Sequence, residues 1–382
     1  MKFLDPQTLH NPYPHYEIWR SEMPIWWADD VQAWILSRYE DVRAVLKNPA
    51  GFSSAAMGEG EQRAIALPLL SDDPPRHTQL RAIVNKAFTS RTLKQMETEV
   101  ATLVDDLLDD IAGDPTVDIS EAFTIPLPIY IIARLMGIPE DRKDDFKRWS
   151  DALTGTSEAT DLQTRMPDIM AMAAYFQSLI PSRREHPGDD PISRIVHAEV
   201  DGEGISDQDI VGFSILLLIA GNETTTNLLS NLLNYLAGDP EQWDALRNEP
   251  DKIDAAIEEI LRFDAPVHWV GRKATAVAVF HDQTVNAGDT VITVLGSANR
   301  DAAHYDRPDE FRLDRGRSDH HTFGHGIHFC IGAPLGRLEA RYALNGLFKR
   351  YSHVKHAQNA INERTHSHML RGFHHLWLEL ER

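Results

Sequence analysis

Cys330 is the one cysteine of this 382-residue chain, and it lies in Phe323-Gly324-His325-Gly326-Ile327-His328-Phe329-Cys330-Ile331-Gly332, a glycine-punctuated loop that leads into an apolar helical pattern. A single cysteine cannot close a disulfide within the chain, and thiolate zinc sites usually draw on several cysteines. Three readings remain: a buried structural thiol, the common state of a free cysteine; a reactive nucleophile; or a single axial metal ligand. The glycines favour the third. Gly324, Gly326 and Gly332 allow positive φ and close approach of the backbone to a flat ligand, and a thiolate just ahead of a helix N-terminus is favoured by the helix dipole. The imidazoles of His320, His321, His325 and His328 open a competing reading as a transition-metal site.

A second set of residues able to do chemistry is Ala220-Gly221-Asn222-Glu223-Thr224-Thr225-Thr226, polar and poor in helix formers, directly after the apolar run Ile215 to Ile219. It falls inside a helix that Ser206-Asp207-Gln208-Asp209 starts, as a capping box, and that Gly238 before Asp239-Pro240 stops. That helix spans roughly 45 Å at about 1.5 Å per residue. One reading of the polar segment is a helix end or kink, with threonine hydroxyls bonded back to carbonyls. The other is a functional site, where local rules are expected to break.

The remaining elements must position these two groups. Pro24–Trp27 and Ala33–Leu36 read as short strands around Asp29-Asp30, with a helix from Tyr39 to Leu46. Leu93–Ile111 and Ala256–Phe263 carry apolar residues at helical spacing, and Arg183–Pro191 reads as a surface loop. Thr275–Val294 is strand-rich, with Asn286-Ala287-Gly288-Asp289 as a turn. The pattern is mainly α with small β-sheets. No repeat, low-complexity tract or interdomain linker appears.

Phe323-Gly324-x-Gly326-x-His328-x-Cys330-x-Gly332 resembles the haem-binding signature of the cytochromes P450, of the bacterial type. The resemblance runs over nearly the whole chain and implies the P450 fold as one haem domain over residues 1–382. It makes Cys330 the axial thiolate of haem b, with Phe323 and Gly324 in the haem loop, and sulfur then pushes electron density toward O–O cleavage. Ala220–Thr226 resembles the oxygen-activation segment, with Ala220 and Gly221 leaving room for O2 and with Glu223 and Thr224 as the acid–alcohol pair. Oxygen activation consumes protons: a hydroxyl can hold oxygen and water in line while a carboxylate relays protons from solvent. Glu259-Ile260-Leu261-Arg262 resembles the family's E-x-x-R, whose spacing puts both charges on one helical face. Arg315 is the candidate third partner, although Leu313 stands where proline is frequent. His77 and Arg81, in Asp73-Pro74-Pro75-Arg76-His77-Thr78-Gln79-Leu80-Arg81, resemble the propionate-binding pair; Arg272 and His328 match two further propionate ligands.

By the same resemblance the substrate pocket is lined by Leu216, Ile219, Ala220, His268, Val270, Met369 and Leu370, a mostly apolar set that implies a small hydrophobic substrate. The stretch holding Met57-Gly58-Glu59-Gly60 and Ile65-Ala66-Leu67 implies an abbreviated or mobile lid. The chain has no flavin motif and no cysteines for a cluster, so electrons come from a separate ferredoxin or flavodoxin with its reductase. A basic patch of Arg76, Arg337 and Arg341 is expected to dock that acidic partner. The resulting expectation is monooxygenation with O2. A haem-thiolate peroxygenase or isomerase and a non-catalytic haem ligand sensor are the alternatives, and the Glu223–Thr224 pair argues against both.

Composition narrows the classes further. Lys plus Arg total 38 against 58 Asp plus Glu, a formal charge of −20, which disfavours nucleic acid and anionic membrane surfaces as partners. MKFLDPQTLHNPYPHYEIWR has no export or transit pattern, and the longest apolar run, near Phe213–Ala220, is too short to span a bilayer. A cytoplasmic protein is expected.

Overall fold

The computed structural model describes residues 2–55, 67–86, 90–154, 162–188, 190–200, 202–316 and 319–382. The segment expected to form a lid, residues 56–66, lies outside them.

The chain is mainly helical, with small sheets at its margins. The long helix Asp207–Gly238 starts where the capping box places it: the Ser206 hydroxyl accepts the Asp209 N–H (3.1 Å) and donates to the Asp209 carboxylate (2.6 Å). It runs unbroken through the polar segment, so neither a helix end nor a break occurs there. Its Ile210, Phe213, Leu217, Leu218, Leu228, Leu232 and Leu236 are buried in the main apolar core, which draws on nearly every other helix. The helix Pro126–Leu135 packs along one side. The helix Ala333–Arg350, which follows Cys330, packs on Ser90–Asp110 and on the long helix.

Five strands form the main sheet in the order Ile25–Ala28, Ala33–Leu36, Thr290–Thr293, Val270–Ala274, Phe52–Ser53. Thr290–Thr293 runs parallel to Ala33–Leu36, with Thr290 opposite Ala33, and antiparallel to Val270–Ala274, with Thr290 opposite Lys273. The expected turn at Asn286–Asp289 joins two of the β segments, with Gly288 at φ 92°. Arg183–Pro191 is less of a loop than its composition suggests. The helix Leu162–Glu185 continues through Arg183 and Arg184, and another begins at Pro191. Arg183 Nη2 donates to the Gly137 carbonyl (3.0 Å) and Arg184 pairs with Asp207, and cations in a last turn suit the helix dipole.

Candidate active site

The cysteine loop is built by backbone bonds and two glycines. Cys330 N–H donates to the Phe323 carbonyl (2.8 Å) and Gly324 N–H to the His321 carbonyl (2.7 Å). Gly324 sits at φ 70° and Gly326 at φ 67°. A Cβ on Gly326 would stand 2.8 Å from the Leu46 carbonyl oxygen, so that position admits no side chain on either count. The stretch ahead of the loop is pinned by Asn299, which accepts the His321 N–H (2.7 Å) and donates to Thr322 Oγ1 (2.9 Å); Thr322 in turn donates to the Leu261 carbonyl (2.5 Å). Cys330 is exposed; loss of solvent to the surrounding loop pushes its thiol up, while the Gly332 and Ala333 amides and the Arg81 and Arg337 guanidiniums pull it down. Those amides are the first N–H groups of the helix Ala333–Arg350, aimed at sulfur as the dipole argument requires.

Of the four loop histidines only the His321 and His325 rings meet, 4.7 Å apart. His320 pairs with Glu258 (3.4 Å), His321 stacks on Tyr39 at 4.1 Å, and His328 lies 4.3 Å from the His77 ring. Among the described residues, no group of three His, Cys, Asp or Glu side chains could hold a metal ion, which removes the transition-metal reading.

His77, Arg272 and His328 gather beside this loop with little to satisfy them. His77 is 2% exposed, yet among the described residues neither ring nitrogen has a hydrogen-bond partner, and His328 Nε2 is likewise buried and unpaired among them. Among the described residues, the Arg272 guanidinium donates only to the Gly271 carbonyl (2.7 Å). Arg81 instead donates to the Phe329 carbonyl (2.7 Å), tying its helix to the cysteine loop. Burial, then Arg272 and His77, push His328 down to about 3, and burial and Arg81 push His77 down. Buried donors without acceptors are costly. Two ligand carboxylates would satisfy them, so the residues present fit a haem with its propionates, axial sulfur on one side and donors at the edge.

In the long helix, Thr224 Oγ1 donates to the Ala220 carbonyl one turn back (2.7 Å), while Ala220 itself is exposed. Burial pushes the Glu223 carboxyl up to about 7. Gly221 corrects the sequence reading. Its missing Cβ would lie 2.5 Å from Ile132 Cδ1, so this glycine lets the helix Pro126–Leu135 approach and does not make room for O2. A rotation of about 100° per residue separates it from Ala220. Asn222 donates to Ser150, and Thr226 Oγ1 donates to the Thr124 carbonyl (3.0 Å). These anchors were not legible in the sequence, because no motif or periodicity marks them.

Of the expected pocket residues, Leu216 and Ile219 are partly buried against the main core, Val270 borders a second cluster, and Met369 is 39% exposed. Val267 pairs with Leu370 in an isolated bridge. His268 does not belong with them. It is 2% exposed, shares a hydrogen bond with the Tyr16 hydroxyl (2.8 Å) and lies between the Tyr13 and Tyr16 rings. Burial pushes it down to about 3. It is a core histidine that ties the helix Tyr13–Glu22 to the segment just ahead of the strand Val270–Ala274.

Glu259 and Arg262 are not a surface pair. Arg262 also donates to the Asn299 (3.0 Å), Pro308 (2.7 Å) and Glu310 (3.0 Å) carbonyls, and Arg315 Nε lies 3.1 Å from both Glu259 oxygens. The expected basic patch is also corrected. Arg76 pairs with Asp209 (2.7 Å) and Asp72 (3.3 Å), Arg337 with Glu258 (2.9 Å) and Arg341 with Asp254 (2.6 Å). An acidic neighbour thus partners each of the three arginines within the chain.

The cytochrome P450 family model matches residues 169–373. The chain is 38% identical to cytochrome P450 109 of Bacillus spizizenii over 353 residues, 91% of this chain and 86% of that protein. It is 37% identical over 352 residues to cytochrome P450 monooxygenase PikC of Streptomyces venezuelae, covering 89% and 84%. The crystal structure of CYP109E1 from Bacillus megaterium in complex with corticosterone matches with a TM-score of 0.90 at 35% identity, covering 98% of this chain and all 100% of that one.

Proposed function

The chain belongs to the cytochrome P450 family, and on that premise we propose residue roles for a monooxygenase that uses haem iron, O2 and electrons from a redox partner. A haem bound there would supply O2 activation: with two electrons and two protons, one oxygen atom of O2 would go to the substrate and the other would leave as water. Cys330 holds the iron from its loop, and the Gly332 and Ala333 amides stabilise charge on sulfur. His77, Arg272 and His328 bind the propionates of haem b, with Arg81 bracing the loop that faces them. Phe323 and Gly324 shape the loop.

Thr224 positions water and oxygen from its place one turn after Ala220, and Glu223 holds the proton to be relayed. A carboxyl pushed up to about 7 is near the pH at which it can both release and regain a proton. Leu216, Ile219, Ala220, Val270, Met369 and Leu370 form the apolar lining. The corticosterone complex of a relative supports an apolar ring system as the substrate class. A ferredoxin or flavodoxin serves as donor, in keeping with the single cysteine of this chain. A cytoplasmic location suits a lone thiol that must stay reduced. One haem domain over the whole chain is supported by contacts between its ends, such as Arg371 with the His10 carbonyl (3.2 Å).

The observation that carries this reading is the set of buried, unpaired donors of His77 and His328 beside a sulfur that meets helix N–H groups. The test is the absorption spectrum of the dithionite-reduced protein with carbon monoxide, next to Cys330→Ser. A strongly red-shifted Soret band, absent in the variant, is the expected result; no haem band after haem-supplemented expression would overturn the reading.

A further inference from the structure

Where the start of the chain meets its C-terminal turn lies a cavity of about 20 Å³, bordered among others by Thr8, Tyr16, His268, Arg364, Ser367 and Arg371. Space of this kind holds a water from ~10–15 Å³ upward. This cavity therefore takes one occupant of about that size, and it is too small for a phosphate or an organic carboxylate. Its wall is cationic. Two arginines border it, and among the described residues no Asp or Glu does. Both guanidiniums depend on one carboxylate, Asp264, which stands outside the wall. Its Oδ1 accepts Arg371 Nε (2.6 Å) and the Tyr13 hydroxyl (2.5 Å), while Arg364 Nη2 lies 3.6 Å from its Oδ2. One carboxylate between two cations leaves a positive charge uncompensated, which is costly where water is scarce.

The neutral donors on the wall are unmatched too. Among the described residues the Tyr16 hydroxyl has one partner, His268 Nδ1 (2.8 Å); donating there, it leaves the imidazole proton on Nε2. His268 is 2% exposed, and its Nε2 has no partner among those residues. Ser367 Oγ accepts the Met369 and Leu370 N–H groups (3.2 and 3.0 Å), and no acceptor among the described residues takes its own proton. Thr8 and His368, by contrast, satisfy each other (3.1 Å). A water would answer the Nε2–H donor but not the charge, whereas an anion answers both.

We propose that this cavity binds one monatomic anion, chloride under ordinary conditions, held by His268 Nε2–H and the Arg364 guanidinium with the Ser367 hydroxyl beside them. The site joins three parts of the chain: the helix Pro6–His10, which carries Thr8; the segment ahead of the strand Val270–Ala274, which carries His268; and the C-terminal turn, which carries Ser367. These parts meet only in the folded chain, so the ion stabilises folding by mass action.

Two measurements on the haem-loaded protein test the site. In crystals grown with sodium bromide in place of chloride, anomalous diffraction at the bromine edge should place one bromide in contact with His268 Nε2 and the Arg364 guanidinium; a water there, or no peak, overturns the proposal. In solution, urea unfolding is followed as sodium chloride replaces sodium gluconate, whose anion is too large for the cavity, at constant ionic strength so that screening stays fixed. Above half-saturation the folding equilibrium constant should rise toward ten-fold for each ten-fold rise in chloride. Arg364→Gln, which removes the uncompensated charge, should abolish that rise and keep the reduced carbon monoxide spectrum. A flat response in the parent protein, or a response that Arg364→Gln retains, overturns the site. A bromide peak without any response in solution marks binding at crystal concentration only and overturns it as well. The bromide measurement needs no variant, so it remains decisive if Arg364→Gln does not fold.

Discussion

Arg262 Nε and Nη2 meet the two Glu259 oxygens at 2.9 and 2.7 Å, with 0% and 2% of the two side chains exposed. The pair carries most of its weight through backbone: Arg262 closes on three carbonyls, and Glu259 also accepts the Arg312 N–H (2.9 Å). It thereby welds the helix Ile253–Phe263 to the segment that leads toward the cysteine loop. Removing Arg262 leaves Glu259 with Arg315 and the Arg312 N–H but orphans three carbonyls, so Arg262→Met should lower the unfolding free energy by about 3 kcal/mol, the low end for breaking a buried pair. Urea denaturation measures this, and Glu259→Leu/Arg262→Met should lose less than the sum of the single variants.

Thr224→Ala should leave stability nearly unchanged, because the lost bond to the Ala220 carbonyl is a local back-bond worth about 1 kcal/mol. Its effect falls on coupling. Hydrogen peroxide should replace product as the main fate of the electrons, read as peroxide released per electron consumed, while haem content stays constant.

The Glu223 carboxyl, pushed up to about 7 by burial, loses its proton as pH rises through that value. Coupling should therefore decline from pH 6 toward pH 8, on the order of the ionised fraction. In Glu223→Gln this step in the profile should vanish. A profile identical to that of the parent protein would remove the assignment.

Gly221 and Ile132 form a pair that a double-mutant cycle can isolate. Gly221→Ala adds helix propensity of about 1 kcal/mol but drives a methyl into Ile132, whose Cδ1 and Cγ1 would lie 2.5 and 2.8 Å away, and overpacking costs about 1–3 kcal/mol. The single variant should be destabilised. In an Ile132→Ala background, which removes both Cδ1 and Cγ1, the same change should become neutral or stabilising relative to that background, as thermal unfolding would show.

His268 and His321 are both pushed down to about 3, burial being the main cause. Their folded values lie below the unfolded one, so the unfolded chain binds more protons between about 6.5 and about 3. The stability they allow is complete above that window and is lost as pH falls through it, by up to about 1.4 kcal/mol per pH unit for each imidazole. His268→Gln and His321→Gln should each flatten the dependence of urea unfolding on pH between 4 and 6. An unaltered slope would show that the ring is not buried in its neutral form.

Features that rest on neighbours along the chain were legible in the sequence. The Ser206 cap needs only Asp209 three residues later, the Gly324 and Gly326 turns need only their own φ, and E-x-x-R needs only the pitch of a helix. Resemblance to the family extended this to Arg315, whose two bonds to Glu259 no spacing rule would supply. What failed concerned direction and distance across the fold. Gly221 was placed beside Ala220, but helical rotation turns it toward Ile132. His268 sits two residues from Val270, but Tyr16, 252 positions away in sequence, claims its ring. Arg76, Arg337 and Arg341 read as free cations because Asp209, Glu258 and Asp254 become their neighbours only after folding. A local rule constrains which conformation a residue adopts, whereas which group it faces is decided by how packed elements are rotated against each other, and only the tertiary structure fixes that rotation.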